Sequence, residues 1–74
     1  MVAYALKVYL MNGDWGYISS NLSGGFQLSK EISQALCFPT KSELMDFYKE
    51  NVKYGDSNGV PVDTSRTCAV TVNY

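Results

Sequence analysis

The side chains able to do chemistry in this 74-residue chain are two cysteines, seven acids and a set of aromatics; histidine is absent. Without imidazole there is no ordinary general base near neutral pH, no triad of the usual kind and no histidine-based zinc site. Cys37 and Cys68 therefore lack the partner that activates a cysteine nucleophile. Glu43, Asp46 and Glu50 sit at a spacing that puts them on one exposed helical face, where nothing raises a carboxyl pKa. Asp56-Ser57-Asn58-Gly59 resembles the start of a calcium loop, but the twelfth position counted from Asp56 is Thr67, not a bidentate acid. Gly24-Gly25 lacks the Lys-Ser/Thr of a phosphate loop and the spacing of a dinucleotide fingerprint. These residues predict no catalysis, no cofactor and no metal, and direct attention to contact chemistry.

Contact chemistry points to Tyr9, Trp15 and Tyr17. Aromatic residues make up 14% of the chain, with six tyrosines, and Tyr and Trp combine large contact area with a polar tip. Whether these three meet depends on the loop at Asn12-Gly13, a strong hairpin signal. With an odd loop such as Met11-Asn12-Gly13, Ile18 joins Leu6 and Val8 on one face, and Tyr9, Trp15 and Tyr17 gather on the other. With a two-residue loop, Ile18 falls beside Lys7 and Tyr9, because one residue of slip moves every side chain across the sheet. The odd loop gives the cleaner apolar face and is preferred. The aromatic face is then either a contact surface or covered by the Ser29–Phe38 segment or the Gly55–Thr67 loop. The acidic stripe of Glu43, Asp46 and Glu50 is a second candidate for a basic partner. The alternative is a solvated face laced by Asp46–Lys49 and Glu50–Lys53 pairs.

The elements that must position these residues are legible from periodicity. Residues Ala3 to Met11 alternate, with Tyr4, Leu6, Val8 and Leu10 on one side, which predicts a strand. Trp15 to Ser20 is the return strand, and Phe26 to Leu28 begins a third after a turn at Ser23-Gly24-Gly25. Ser29 to Gln34 is compatible with a helical turn and Leu36 to Phe38 with a short strand. Thr40-Lys41-Ser42-Glu43 is a capping box, predicting a helix from Lys41 to about Val52 with Leu44, Phe47, Tyr48 and Asn51 on its apolar stripe. Gly55 to Gly59 reads as a polar loop. Cys68 to Tyr74 reads as the final strand, with Cys68, Val70, Val72 and Tyr74 on one side. The expected fold is α+β: a small antiparallel sheet in the chain order β-β-β-α-β, with one main helix packed on one face.

Size and composition bound the rest. A chain of this length holds one domain, residues 1–74, and buries only about 60% of its unfolded surface, so a deep cleft would be taken out of a small core. Hydrophobic residues at 46% and charged residues at 18% predict a folded chain. Six basic residues are scattered against seven acidic ones, for a net charge of −1, which makes nucleic acid an unlikely partner. No apolar run approaches the roughly 20 residues of a membrane span, and no secretory leader is visible, so a cytoplasmic protein is expected. In that compartment Cys37 and Cys68 are expected as a buried, reduced pair, with a disulfide only for a secreted chain.

Gly16-Tyr17-Ile18-Ser19 and Ala35-Leu36-Cys37-Phe38-Pro39-Thr40-Lys41-Ser42-Glu43 resemble small uncharacterised proteins of phages and prophages of Gram-positive bacteria. In those, a glycine-tyrosine-aliphatic strand precedes an alanine-to-phenylalanine segment that leads through Ser/Thr into a helix. The likeness lies between Gly16 and Glu43; the C-terminal third has no counterpart. It implies a class of host-modulating proteins that includes anti-CRISPR inhibitors, and it assigns no functional residue here. The leading expectation is thus a non-enzymatic accessory protein that binds a host protein or complex. A single-stranded nucleic-acid module stacking bases on Tyr9, Trp15 and Tyr17 and a homodimer or larger homo-oligomer closed over the open sheet face are the alternatives.

Overall fold

A computed structural model of the chain describes every residue except Ser23, Gly24, Asn58 and Tyr74. The architecture is a small α+β fold: a four-stranded antiparallel sheet, one helix and a separate two-stranded hairpin. The strands are β1 (Val2–Tyr9), β2 (Trp15–Leu22), β3 (Gly25–Ser29), β4 (Asp56–Ser57), β5 (Val60–Pro61) and β6 (Cys68–Asn73). The sheet order is β3-β2-β1-β6, and β4 pairs with β5 alone. The turn expected at Ser23-Gly24 lies outside the described residues, as does Tyr74 on the β6 stripe.

The β1–β2 hairpin closes on an odd loop. The amide of Leu10 donates to the carbonyl of Asp14 at 2.8 Å, and Gly13 N–H returns to the Leu10 carbonyl at 3.0 Å. Met11, Asn12 and Gly13 are therefore the three loop residues. Gly13 sits at φ 91°, a left-handed conformation that glycine adopts without a Cβ penalty. From this closure Tyr9 faces Trp15, Val8 faces Gly16 and Lys7 faces Tyr17.

Beyond Ile18 the two strands part. The amide of Leu36 takes the Ile18 carbonyl at 2.7 Å, and Phe38 exchanges both backbone bonds with Tyr4 at 2.8 Å. Residues 36–38 thus occupy the place beside β1 that β2 has vacated. At the same point β2 is irregular against β3, between Ile18 and Ser20. The Ser29–Gln34 region forms a single 3-10 turn, Ile32–Gln34.

One face of the sheet carries the core: Leu6, Val8, Leu10 and Ile18 with Phe26, Val62, Leu44 and Val52, joined by half-buried Phe38, Phe47 and Tyr48. Helix α1 (Lys41–Phe47) starts where Thr40 Oγ1 accepts the Glu43 amide at 3.2 Å. It continues as a π turn over Tyr48–Val52, closed by Lys53 N–H to the Tyr48 carbonyl. The wider turn advances the apolar stripe by one residue. Val52 is consequently buried, and Asn51, expected on the stripe at α-helical spacing, is exposed.

Two further expectations are corrected. The Gly55–Gly59 region is not simply a loop: Asp56–Ser57 pairs with Val60–Pro61, with Gly59 at φ 83°; Asn58 lies outside the described residues. Neither cysteine is buried; both are exposed free thiols. Cys68 faces Lys7 at the start of β6, and Cys37 precedes Phe38, which packs on the core, so alternation turns the thiol outward.

Gly16 illustrates how tightly the sheet is packed. A Cβ there would stand 2.7 Å from Leu28 Cβ and 3.3 Å from the Ser29 carbonyl oxygen. Gly16→Ala is expected to destabilise the protein by about 1–3 kcal/mol, the range for overpacking. A thermal melt should fall by roughly 4–8 °C per kcal/mol at this size; an unchanged midpoint would contradict the packing described.

Candidate functional site

Residues directly opposite on antiparallel strands share a face. The register Tyr9–Trp15 and Lys7–Tyr17, with Lys7 opposite Cys68, Ala5 opposite Val70 and Ala3 opposite Val72, defines the face turned away from the core. It holds Tyr9, Trp15, Tyr17 and Lys7 at one end, and Ala3, Ala5, Val70 and Val72 at the other. All three aromatics are half-buried. Trp15 and Tyr17 meet edge to face, with ring centroids 5.7 Å apart at 88°, the arrangement favoured by ring quadrupoles.

Cations from three parts of the chain converge on these rings. Lys7 Nζ lies 4.6 Å from the centre of the Trp15 ring and 5.4 Å from that of Tyr9. Lys30 Nζ, from the segment after β3, lies 4.2 Å from the Trp15 ring. Arg66, from the loop before β6, stands 4.7 Å from Tyr9. Three of the six basic residues thereby stand over two aromatic rings, whose negative faces attract a cation. Both segments that could have covered the face do reach it, but each brings a cation to its rim and leaves the rings half-exposed.

Local hydrogen bonds hold these cations in place. Lys30 Nζ donates to Asp14 Oδ1 at 2.9 Å and to the Trp15 carbonyl. The Asp14 amide in turn donates to Asn12 Oδ1 at 2.9 Å. Arg66 is placed by a turn in which Asp63 accepts from the Ser65 hydroxyl at 2.6 Å and from the Ser65 amide at 3.1 Å. That turn is tied to β1 by Asp63 N–H to the Tyr9 carbonyl at 2.7 Å, and by Tyr9 N–H to Thr67 Oγ1 at 3.1 Å.

The electrostatics follow the geometry. The hydrogen bond to Tyr9 raises the Lys7 pKa above its ordinary value, reinforced by nearby Tyr17 and Cys68. Lys30 pulls the Asp14 carboxyl below its ordinary 3.8. The Ser65 hydroxyl does the same for Asp63, with Arg66 adding to it. These shifts hold Lys7, Asp14 and Asp63 in their charged forms at neutral pH.

Glu43, Asp46 and Glu50 are exposed on the outer side of the helix, apart from the aromatic face. Among the described residues, neither Asp46–Lys49 nor Glu50–Lys53 forms an ion pair; Lys30–Asp14 does. No group of three or more His, Cys, Asp or Glu is arranged to hold a metal among the described residues. Among the described residues, no helix is long and apolar enough to cross a membrane.

Lys30 and Arg66 are the site residues that sequence reasoning missed. Each is a lone cation in a polar segment, and only the tertiary fold brings it to the rings. A shallow cleft of about 480 Å³ adjoins Trp15 and Lys30, floored by Leu10, Phe26 and Leu28. No protein-family model, curated protein or solved structure matches the chain.

The depressed carboxyls make a pH prediction. A carboxyl held below its unfolded pKa contributes stability that is present above that value and lost as pH falls through the folded one. For Asp14 and Asp63 the loss falls below about pH 3.8. Carbon-detected NMR titration should place both below that value, and Lys30→Met should return Asp14, but not Asp63, toward it.

Proposed function

We propose that this chain is a non-enzymatic binding protein whose contact face is the open side of the sheet around Tyr9, Trp15 and Tyr17, and whose partner is a host protein presenting acidic groups. The observation that carries the reading is the convergence of Lys7, Lys30 and Arg66 on those rings. Trp, Tyr and Arg are the residues over-represented where interface energy concentrates. Here they form one group on a face the helix does not cover. Cations seated on aromatic rings are held ready for carboxylates, which favours an acidic partner surface over an apolar one.

The likeness of Gly16–Ser19 and Ala35–Glu43 to small phage proteins supports assigning the chain to the same class: an accessory protein that inhibits or modulates host machinery in the host cytoplasm, of which anti-CRISPR inhibitors are one kind. The exposed Glu43, Asp46 and Glu50 stripe is the second candidate contact, for a basic surface. Affinity capture from host lysate, followed by calorimetry with the partner recovered, tests the assignment. Trp15→Ala and Tyr17→Ala should each weaken binding by about 2 kcal/mol, roughly thirtyfold, with circular dichroism unchanged. Glu43→Lys with Glu50→Lys should leave the affinity within a factor of about three, on the order of 0.6 kcal/mol. Unchanged binding by the two aromatic variants, with the fold intact, removes the site.

The same three cations favour one second reading, a single-stranded nucleic-acid module, since stacking platforms need charge beside the rings. Titration of a labelled oligonucleotide at low and high salt distinguishes the two. Micromolar binding that weakens steeply with salt supports the second reading, and its absence leaves the protein partner.

A further inference from the structure

Strand β6 forms one edge of the sheet, and its outward-facing backbone groups can be identified. On β1, the amides of Leu10 and Tyr4 bond toward β2 and residues 36–38, whereas the amide and carbonyl of Tyr9 bond toward Thr67 and Asp63. Even-numbered residues of β1 thus bond on one side and odd-numbered ones on the side of β6. In an antiparallel ladder this makes Ala3–Val72, Ala5–Val70 and Lys7–Cys68 the hydrogen-bonded pairs. The residues between them on β6, Ala69, Thr71 and Asn73, direct their N–H and C=O groups away from the sheet. Among the described residues, no loop or neighbouring segment takes these groups up.

This edge has none of the features that keep edge strands from pairing. Cys-Ala-Val-Thr-Val-Asn contains no Lys, no Pro, no Gly and no charge, and its ladder with β1 is regular. The opposite edge, β3, is irregular against β2 and runs into Lys30-Glu31. The side chains of β6 also invite cover. Val70 and Val72 are only half-buried, on the face the helix does not reach, and Ala69, Thr71 and Asn73 are exposed.

We propose that β6 pairs antiparallel with β6 of a second copy of this chain, about a two-fold axis at Thr71, joining two four-stranded sheets into one of eight. The parity of the free groups selects this register. Thr71 faces Thr71 and exchanges two hydrogen bonds, and Ala69 faces Asn73 on either side with two more each. Every outward group of the strand is then satisfied, and a shift in either direction leaves some unpaired. Val70 of one copy comes to lie opposite Val72 of the other, so four valines cluster on the open face beside Ala3 and Ala5. Charge permits the arrangement. The paired strands are neutral, and Lys7, opposite Cys68, and Arg66, two residues before it, mark one end of the strand, so the antiparallel pairing sends the two cation groups to opposite ends. This pairing is independent of the contact face proposed above, and uses the edge of the sheet rather than its surface.

Sedimentation velocity from roughly 10 µM to 1 mM tests the proposal, since self-association depends on protomer concentration. The mass should rise from one chain to two. Thr71→Pro deletes an outward N–H without touching the ladder to β1. Thr71→Lys sets like charges face to face across the axis. Each variant should weaken dimerisation at least tenfold, with circular dichroism unchanged. The register is read by cross-linking in a Cys37→Ser, Cys68→Ser background. At a hydrogen-bonded pair the Cα atoms lie about 5.5 Å apart, within disulfide reach. Thr71→Cys should therefore oxidise to a covalent dimer, and Ala69→Cys, which faces Asn73, should do so far more slowly. A monomer at the highest concentration overturns the proposal. So does a dimer that survives both Thr71 variants, or equal cross-linking at the two positions.

Discussion

The hydrogen bond from the Leu10 amide to the Asp14 carbonyl sets the parity of the whole sheet. It closes a loop of three residues, and from there each residue of β1 has its partner and its face assigned. Leu6, Val8, Leu10 and Ile18 go to the helix; Lys7, Tyr9, Trp15 and Tyr17 go to the open side. Because β6 is paired to β1, its register puts Val70 and Val72 on the same face as the aromatics, at the other end, and Thr71 on the core side with its backbone groups pointing out. A loop one residue longer or shorter would move Ile18 to the face of Lys7 and Tyr9, and Trp15 and Tyr17 to that of Leu6 and Val8. Only the three-residue loop keeps Ile18 with Leu6, Val8 and Leu10 on the face that the helix covers.

How much of this could be read from the residues depended on the range of the interaction. The hairpin register, the strands and the Thr40 cap are set by neighbours within a few positions, and periodicity with turn chemistry finds them. The wedge of residues 36–38 between β1 and β2 was visible only as a short strand, because its partners, Ile18 and Tyr4, are about 20 and more positions away. Lys30 and Arg66 are the sharper case. Nothing in their local sequence separates them from Lys41 or Lys53, which also stand near tyrosine rings but away from the cluster. Their role comes from the Asp14 salt bridge and the Asp63 turn, both tertiary.

Two misreadings came from assuming ideal regularity. Projecting the helix stripe at 3.6 residues per turn puts Asn51 on the apolar side. The π turn over Tyr48–Val52 widens the helix, so that Val52 is buried and Asn51 is exposed. Thiols are commonly buried, and this general tendency underlies the expectation of an inward Cys37 and Cys68. Burial in a sheet goes by position, and both cysteines occupy positions that alternation turns outward.

The wedge also bears on how the chain reaches its native state. Tyr4 is bonded to Phe38, and β1 completes its other side with a strand more than sixty positions away. The hairpin can therefore zip only as far as Ile18 by itself, and its far half must wait for two remote segments to arrive. Contacts of such long sequence separation carry a large loop-closure cost before they give anything back. Folding should be slow for so small a protein, on the millisecond-to-second scale of β-rich topologies, with the rate set by the search for those two partners rather than by the hairpin turn.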